Sequence, residues 1–219
     1  MTFERDYFEQ QYRDYERQNP ARKLVFYRYL LVRSVPRGAS PRVLDYGCAF
    51  GLLLGELDRR WQRTGIDASS WAVQRARNRF PDIDFRCLEP GSYPEIDRQD
   101  VIAAFDVLEH VPSLDECLRW LWDSLAVGGA LVFVVPVYDG PSGPFIRWLD
   151  RDPTHVHRES RAFWLQRVGQ WFEIEDWWGI LRYLVPGGPY LHLVTHRLRH
   201  WTPAMACVAR RREPAHEAR

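Results

Sequence analysis

Arg42-Val43-Leu44-Asp45-Tyr46-Gly47-Cys48-Ala49-Phe50-Gly51 is the stretch that decides the fold of this chain. An apolar run meets an acid and passes into a turn built mostly of small residues. The leucine-rich run after it, residues 52–60, predicts a helix. Strand, glycine-rich turn and helix in that order let the backbone come close to a ligand, and Gly47 and Gly51 avoid a Cβ clash there. By itself such a turn suits a dinucleotide phosphate equally well. The spacing departs from G-x-G-x-x-G, however, and Asp45 stands two residues before the first glycine.

Working outward, the chain alternates strand and helix. Residues 64–67 end a second strand, an amphipathic helix covers 70–80, and short strands are expected at 83–87 and 100–105. Residues 113–125 read as a helix with Ser113 as N-cap before Glu116, stopped by Gly128-Gly129 ahead of a buried strand at 131–135. Repeated βα units with continuous apolar strands predict a doubly wound α/β fold, a parallel sheet with helices on both faces. Beyond Pro136 a Pro/Gly-punctuated connection runs to residue 157, long enough to be functional. A helix at 159–169, a strand at 171–178 and a last strand near 205–208 follow, with 180–203 as a partly helical insert. Upstream, Phe3, Tyr7, Phe8, Tyr12 and Tyr15 fall near helical spacing, and Leu24, Tyr27, Leu30 and Leu31 share one helical face. Residues 1–36 thus read as a helical extension or lid on a domain spanning 37–219.

Five segments in order resemble class I S-adenosylmethionine-dependent methyltransferases of the small-molecule type. Asp45 to Gly51 resembles their first motif, D-x-G-x-G-x-G, with Ala49 for the middle glycine. Gly65-Ile66-Asp67-Ala68-Ser69 looks like the end of the second strand, whose acid accepts from both ribose hydroxyls. Asp82-Ile83-Asp84-Phe85 with Glu89 resembles the segment that places an acid near the adenine amino group. Phe105-Asp106-Val107-Leu108-Glu109-His110-Val111-Pro112 matches the segment after the fourth strand, and Leu125 to Val132 the L-x-x-G-G-x-L-x signature. The resemblance implies a Rossmann-like sheet of seven strands, mostly parallel with an antiparallel last strand. It implies S-adenosylmethionine as cofactor, S-adenosylhomocysteine as product, and cofactor contacts at Asp45, Gly47, Cys48, Ala49, Gly51, Asp67, Ala68, Glu89, Phe105 and Asp106. Cys48 serves as a small residue of the turn. Removing the Asp67 carboxylate is expected to cost cofactor affinity and to leave the stability of the ligand-free chain unchanged.

On the acceptor side, Asp152-Pro153-Thr154-His155 follows the fifth-strand connection, where ligands of this architecture sit outside the carboxyl ends of the strands. It resembles a D-P-T-H stretch of many small-molecule members of the family. His155 is either a base for a hydroxyl acceptor, a substrate ligand or a hydrogen-bonded loop histidine. His110 is the second candidate base, although Glu109 and His110 equally suit bracing a helix start. No spacing of metal ligands is visible, and no metal is expected.

Composition narrows the partners. With 30 basic residues against 29 acidic ones, the net charge is +1, which disfavours nucleic acid as a partner. Trp 10, Tyr 10 and Phe 11 supply either a core of large side chains or an aromatic-walled pocket. The acceptor is therefore expected to be a small molecule such as a sugar, lipid or secondary metabolite. RNA or protein methylation is the alternative, with a cofactor-binding partner lacking catalysis as the third reading. Against the amino-base enzymes, no N/D-P-P-Y/F stands after the fourth strand. Lys23 is the only lysine, which reads as codon usage, and Arg210-Arg211-Arg212 as a solvated terminus. Four cysteines without a CxxC pair predict reduced thiols. A charged N-terminus and the lack of ~20 consecutive apolar residues predict a cytoplasmic protein with no membrane span.

Overall fold

The computed structural model describes residues 15–36, 40–89, 91–141, 143–150, 152–184 and 190–212, with Arg5 and Glu9 besides. Most of the aromatic run expected at 3–18 lies outside them; its described end is one helical turn, α1 (Tyr15–Gln18). Pro20, whose ring sets φ at −63°, opens α2 (Ala21–Arg33). Its buried face carries Lys23, Tyr27, Leu30 and Leu31, so the apolar stripe read from sequence includes a charge.

The βα alternation then unfolds as expected: β1 (Arg42–Tyr46), α3 (Leu52–Gly55), β2 (Gln62–Asp67), α4 (Ser70–Arg79), β3 (Asp84–Cys87), β4 (Gln99–Phe105), α5 (Leu114–Ser124) and β5 (Leu125–Pro136). The chain continues through α6 (Gly143–Leu149), α7 (Arg161–Gly169), β6 (Phe172–Leu184), β7 (Tyr190–Thr195) and β8 (Ala204–Arg211). The sheet order is β3-β2-β1-β4-β5-β8-β6-β7. β1 pairs in parallel with β2 and β4, and β5 with β4. β8 runs antiparallel between β5 and β6, and β7 hydrogen-bonds antiparallel to the outer edge of β6.

Several local expectations are corrected. The sheet has eight strands, not seven, because the segment 180–203, besides a 3-10 turn at Arg199–Trp201, also carries strand: β6 runs on to Leu184 and β7 returns beside it. α3 is one turn rather than a helix to residue 60. Asp58 turns the chain by accepting from the Arg60 N–H at 2.9 Å. Gly128 and Gly129 lie within β5, at a register shift between Gln99 and Val101 of the neighbouring strand, and α5 has already ended at Ser124. Ser113 holds the N-cap position of α5, but its side chain makes no cap bond there, whereas Ser69 and Ser160 cap α4 and α7. Arg211 is not solvated: it is 7% exposed, bonds the Leu125 carbonyl and lies 3.9 Å over the Trp122 ring.

Alternation along the strands sends successive side chains to opposite faces. Val43, Val101 and Val132 pack with Leu31 of α2, Leu54 of α3 and Val73 of α4. Leu44, Ile102 and Phe133 pack with Leu118 of α5 and Trp164 of α7. Between β1 and β4 the strand order reverses, and outside the carboxyl ends of such neighbours an open α/β sheet leaves a crevice.

Candidate active site

At that crevice lies a cavity of about 530 Å³. Asp45 leaves β1 at its floor, 3% exposed. Gly47 follows at φ +83°, and the N–H groups of Gly47 and Cys48 both donate to the Ile66 carbonyl, at 2.8 and 3.0 Å. The first turn is thereby pinned to the end of β2. Ala49 sits at φ +44°, in the left-handed region that an L side chain resists. Its N–H donates to Asp67 Oδ2 at 2.8 Å, while the Ser69 N–H donates to Asp67 Oδ1 at 2.9 Å. Asp67 therefore staples the turn of β1 to the start of α4, so its removal bears on stability.

Asp45, Gly47, Cys48, Ala49, Asp67, Ala68, Glu89, Phe105, Asp106, His110 and His155 all line the cavity. Glu89 is exposed at its rim. Gly51 does not line it. At φ +70°, a Cβ there would stand 2.4 Å from Phe85 Cζ, so this glycine makes room for the β3 aromatic.

The other end is organised around His155. Asp150 Oδ2 accepts from Tyr138 Oη at 2.6 Å and from His155 Nδ1 at 2.8 Å, and it pairs with Arg158 at 3.1 Å. A carboxylate only accepts, so neutral His155 carries its proton on Nδ1 and its lone pair on Nε2. Despite burial, the bonds from Tyr138 and His155 hold the Asp150 carboxyl below its usual range. The Thr154 hydroxyl donates to Asp152 at 2.5 Å and therefore accepts from His110 Nδ1 at 2.8 Å. Burial, with His155 adjacent, pushes His110 down to about 4. The loop is held to the turn after β4 by the N–H groups of Val156 and His157, which donate to the Glu109 carbonyl at 3.0 and 3.1 Å. The two histidine rings stand 4.7 Å apart, centre to centre.

Three acids of this cavity stand in different states. Burial, and Asp67 beside it, push Asp45 up to about 7. Burial and Asp106 push Glu109 well above the usual range. Asp106, at φ +55°, is half-buried; desolvation would raise it, but Arg182 of β6 and Lys23 of α2 hold it down to about 2. Lys23 Nζ stands 3.5 Å from Asp106 Oδ2, and Arg182 bonds Oδ1 directly. Reading the lone lysine as codon usage alone missed its place in the cavity wall. Its position on the buried face of α2 was the available signal. Tyr138, Asp150 and Arg182 were also missed. Asp150 stands five residues before His155, a proximity that hinted at pairing; Arg182 carried no comparable signal.

A family model described as a methyltransferase domain matches residues 14–186. The chain belongs to the class I S-adenosylmethionine-dependent methyltransferases. It is 30% identical over 151 residues to the trans-aconitate 2-methyltransferase of Rhodopseudomonas palustris (strain BisB5), covering 67% of this chain and 56% of that one. The match thus spans little more than half the length of that relative. Two solved structures share the fold. The [4+2]-cyclase SpnF has a TM-score of 0.65 at 20% identity, over 85% of this chain and 80% of that chain. The N-methyltransferase NodS of Bradyrhizobium japonicum WM9, solved with S-adenosyl-L-homocysteine, has a TM-score of 0.60 at 17% identity, over 85% and 86%. Among the described residues, no helix is long and apolar enough to cross a membrane.

The donor set fits the family's cofactor. S-adenosylmethionine carries a sulfonium and an ammonium, and the cavity is lined by the acids Asp45 and Asp67. Gly47 and Ala49 keep side-chain bulk out of the turn beside them.

Proposed function

We propose that the chain transfers a methyl group from S-adenosylmethionine to an oxygen of a small-molecule acceptor. When bound, the cofactor supplies a methyl already activated on sulfur. The chain's own task is to hold and orient both partners, exclude water and accept a proton. We assign Asp45, Gly47, Cys48, Ala49, Asp67, Ala68, Glu89, Phe105 and Asp106 to the cofactor, and His155 to the acceptor hydroxyl, with His110 beside it. Helix α2 contributes Lys23, Leu24 and Tyr27 to the cavity wall, and we assign it the part of a lid. The proton passes to His155 Nε2, and the Asp150 carboxylate stabilises the imidazolium formed. A positioned base of this kind contributes about 10²–10⁴-fold.

One observation carries this reading: the Asp150-bound imidazole opens onto the same cavity as Asp67 and the Gly47–Ala49 turn. The relatives named for trans-aconitate act on a small molecule, which agrees with it. The test is transfer of labelled methyl from the cofactor into separate metabolite, RNA and protein fractions. Label in the metabolite fraction, lost in His155→Ala, supports the proposal. Label only in RNA or protein overturns the small-molecule acceptor. Saturable S-adenosylhomocysteine binding without transfer to any fraction overturns methyl transfer itself.

A further inference from the structure

Glu109 and His110 come from the turn after β4, and His155 from the loop after α6, yet the fold gathers them at one point of the cavity wall. One ligand atom from each lies within 4.8 Å of the other two. We propose that Glu109, His110 and His155 bind one divalent first-row transition-metal ion.

Three observations support this. The first is orientation. Asp150 fixes His155 through Nδ1, and Thr154, itself held by Asp152, fixes His110 through Nδ1. Coordination therefore falls to Nε2 in both rings. Metal-binding imidazoles are commonly oriented in this way, the second nitrogen donating to a carboxylate or another acceptor.

The second is Glu109. It is 1% exposed, and its Oε2 is buried with no hydrogen-bond partner among the described residues. Leaving a buried carboxyl oxygen unsatisfied is costly, and a cation between it and the two imidazoles would relieve that cost. The anionic neighbours already have cations of their own: Asp106 has Lys23 and Arg182, and Asp150 has Arg158.

The third is rigidity with one open side. The two N–H bonds to the Glu109 carbonyl, and the His157 Nε2 bond to the Val111 carbonyl at 2.9 Å, lock the histidine loop against the turn. The cluster still faces the cavity. Bonds of about 2.0–2.2 Å to nitrogen and carboxylate oxygen draw the three atoms closer than in the ligand-free arrangement. Two imidazoles and one carboxylate select Mn, Fe, Co or Zn rather than Mg or Ca, which prefer oxygen ligands.

An ion there would leave coordination positions for an acceptor oxygen and lower its pKa. The ion-loaded chain would then replace the proton transfer to His155 Nε2 proposed above, because that lone pair is spent on the ion and the acceptor's proton leaves to solvent. This consequence rests on the proposed methyl transfer; the binding of the ion does not.

The test uses the full chain without an affinity tag, stripped by chelator and titrated with Co²⁺. Visible absorption and calorimetry follow the metal, and S-adenosylhomocysteine binding is measured in parallel. One equivalent should bind, with nitrogen- and oxygen-type ligand-field bands. Glu109→Gln and His155→Ala should abolish stoichiometric binding, and Asp150→Asn should weaken it about 10–100-fold. All three variants should keep S-adenosylhomocysteine binding, which shows that they are folded. A wild-type chain that binds S-adenosylhomocysteine but takes up no Co²⁺ overturns the proposal, as does equal Co²⁺ binding by Glu109→Gln and His155→Ala. Co²⁺ bound at this site without methyl transfer to any acceptor would support the ion and overturn the transfer reading alone.

Discussion

Replacing Asp67 by alanine removes two charge-assisted hydrogen bonds, from the Ala49 N–H at 2.8 Å and the Ser69 N–H at 2.9 Å. Hydrogen bonds to charged groups contribute about 1.5–3 kcal/mol each. The site is half-buried, so the lower end applies and the pair is worth about 3 kcal/mol. The first bond also restrains Ala49 at φ +44°, a conformation the turn would otherwise relax. In a chain of this size each kcal/mol corresponds to roughly 2–4 °C in Tm. The ligand-free Asp67→Ala chain should therefore melt about 6–12 °C below wild type. Asp67→Asn, which keeps one acceptor oxygen, should fall between the two. Affinity for S-adenosylhomocysteine should drop about 10–100-fold as well, through the lost acceptor and the loosened turn. Thermal scans without ligand and calorimetry with it separate the two effects. A ligand-free melting temperature unchanged in Asp67→Ala would refute the stapling role, whatever happened to affinity.

Three further outcomes are expected. Asp45 is pushed up to about 7 by burial and by Asp67, above its unfolded value of about 3.9. The folded state thus binds the extra proton between about pH 4 and 7, so its contribution to stability is full below that window and is lost as pH rises through it. Thermal scans across the window should show this decline, and it should flatten in Asp45→Asn; an identical slope in the variant would place the titration elsewhere. Gly51→Ala should lower stability by about 1–2 kcal/mol from its φ of +70° alone, and by more from the contact with Phe85. Adding Phe85→Leu should recover only the contact part, as read from denaturant midpoints, and full recovery would refute the backbone contribution. His155→Ala should leave cofactor binding intact and lower turnover about 10²–10⁴-fold, with partial rescue at higher pH as more acceptor ionises unaided. A raised KM at unchanged turnover would instead make His155 a substrate ligand, and full activity would move attention to His110.

Much of this protein was written locally in its sequence. Asp45, Gly47, Ala49 and Asp67 announce the proposed cofactor end because a close backbone approach demands small residues and particular φ values at fixed spacing, and strand runs such as 131–135 demand continuous apolar side chains. These requirements act within a few residues, so they are visible without coordinates. Local reading failed where a residue's role depends on what packs against it. Gly51 looked like a ligand-facing glycine but makes room for Phe85 across the sheet. Arg211 looked solvated but is buried over Trp122. The 180–203 segment gave no sign of the strand β7, which is stabilised by pairing with β6. Lys23 reads as codon usage in the sequence, and only the packing of α2 sets it beside Asp106. The gathering of Glu109, His110 and His155 was likewise invisible, since no spacing joins them. Only the docking of the 152–157 loop onto the Glu109 carbonyl brings the two imidazoles together. Sequence determined which residues can make a turn, a strand or a helix; tertiary structure decided which charges share a cavity, because burial and pairing belong to neighbours in space.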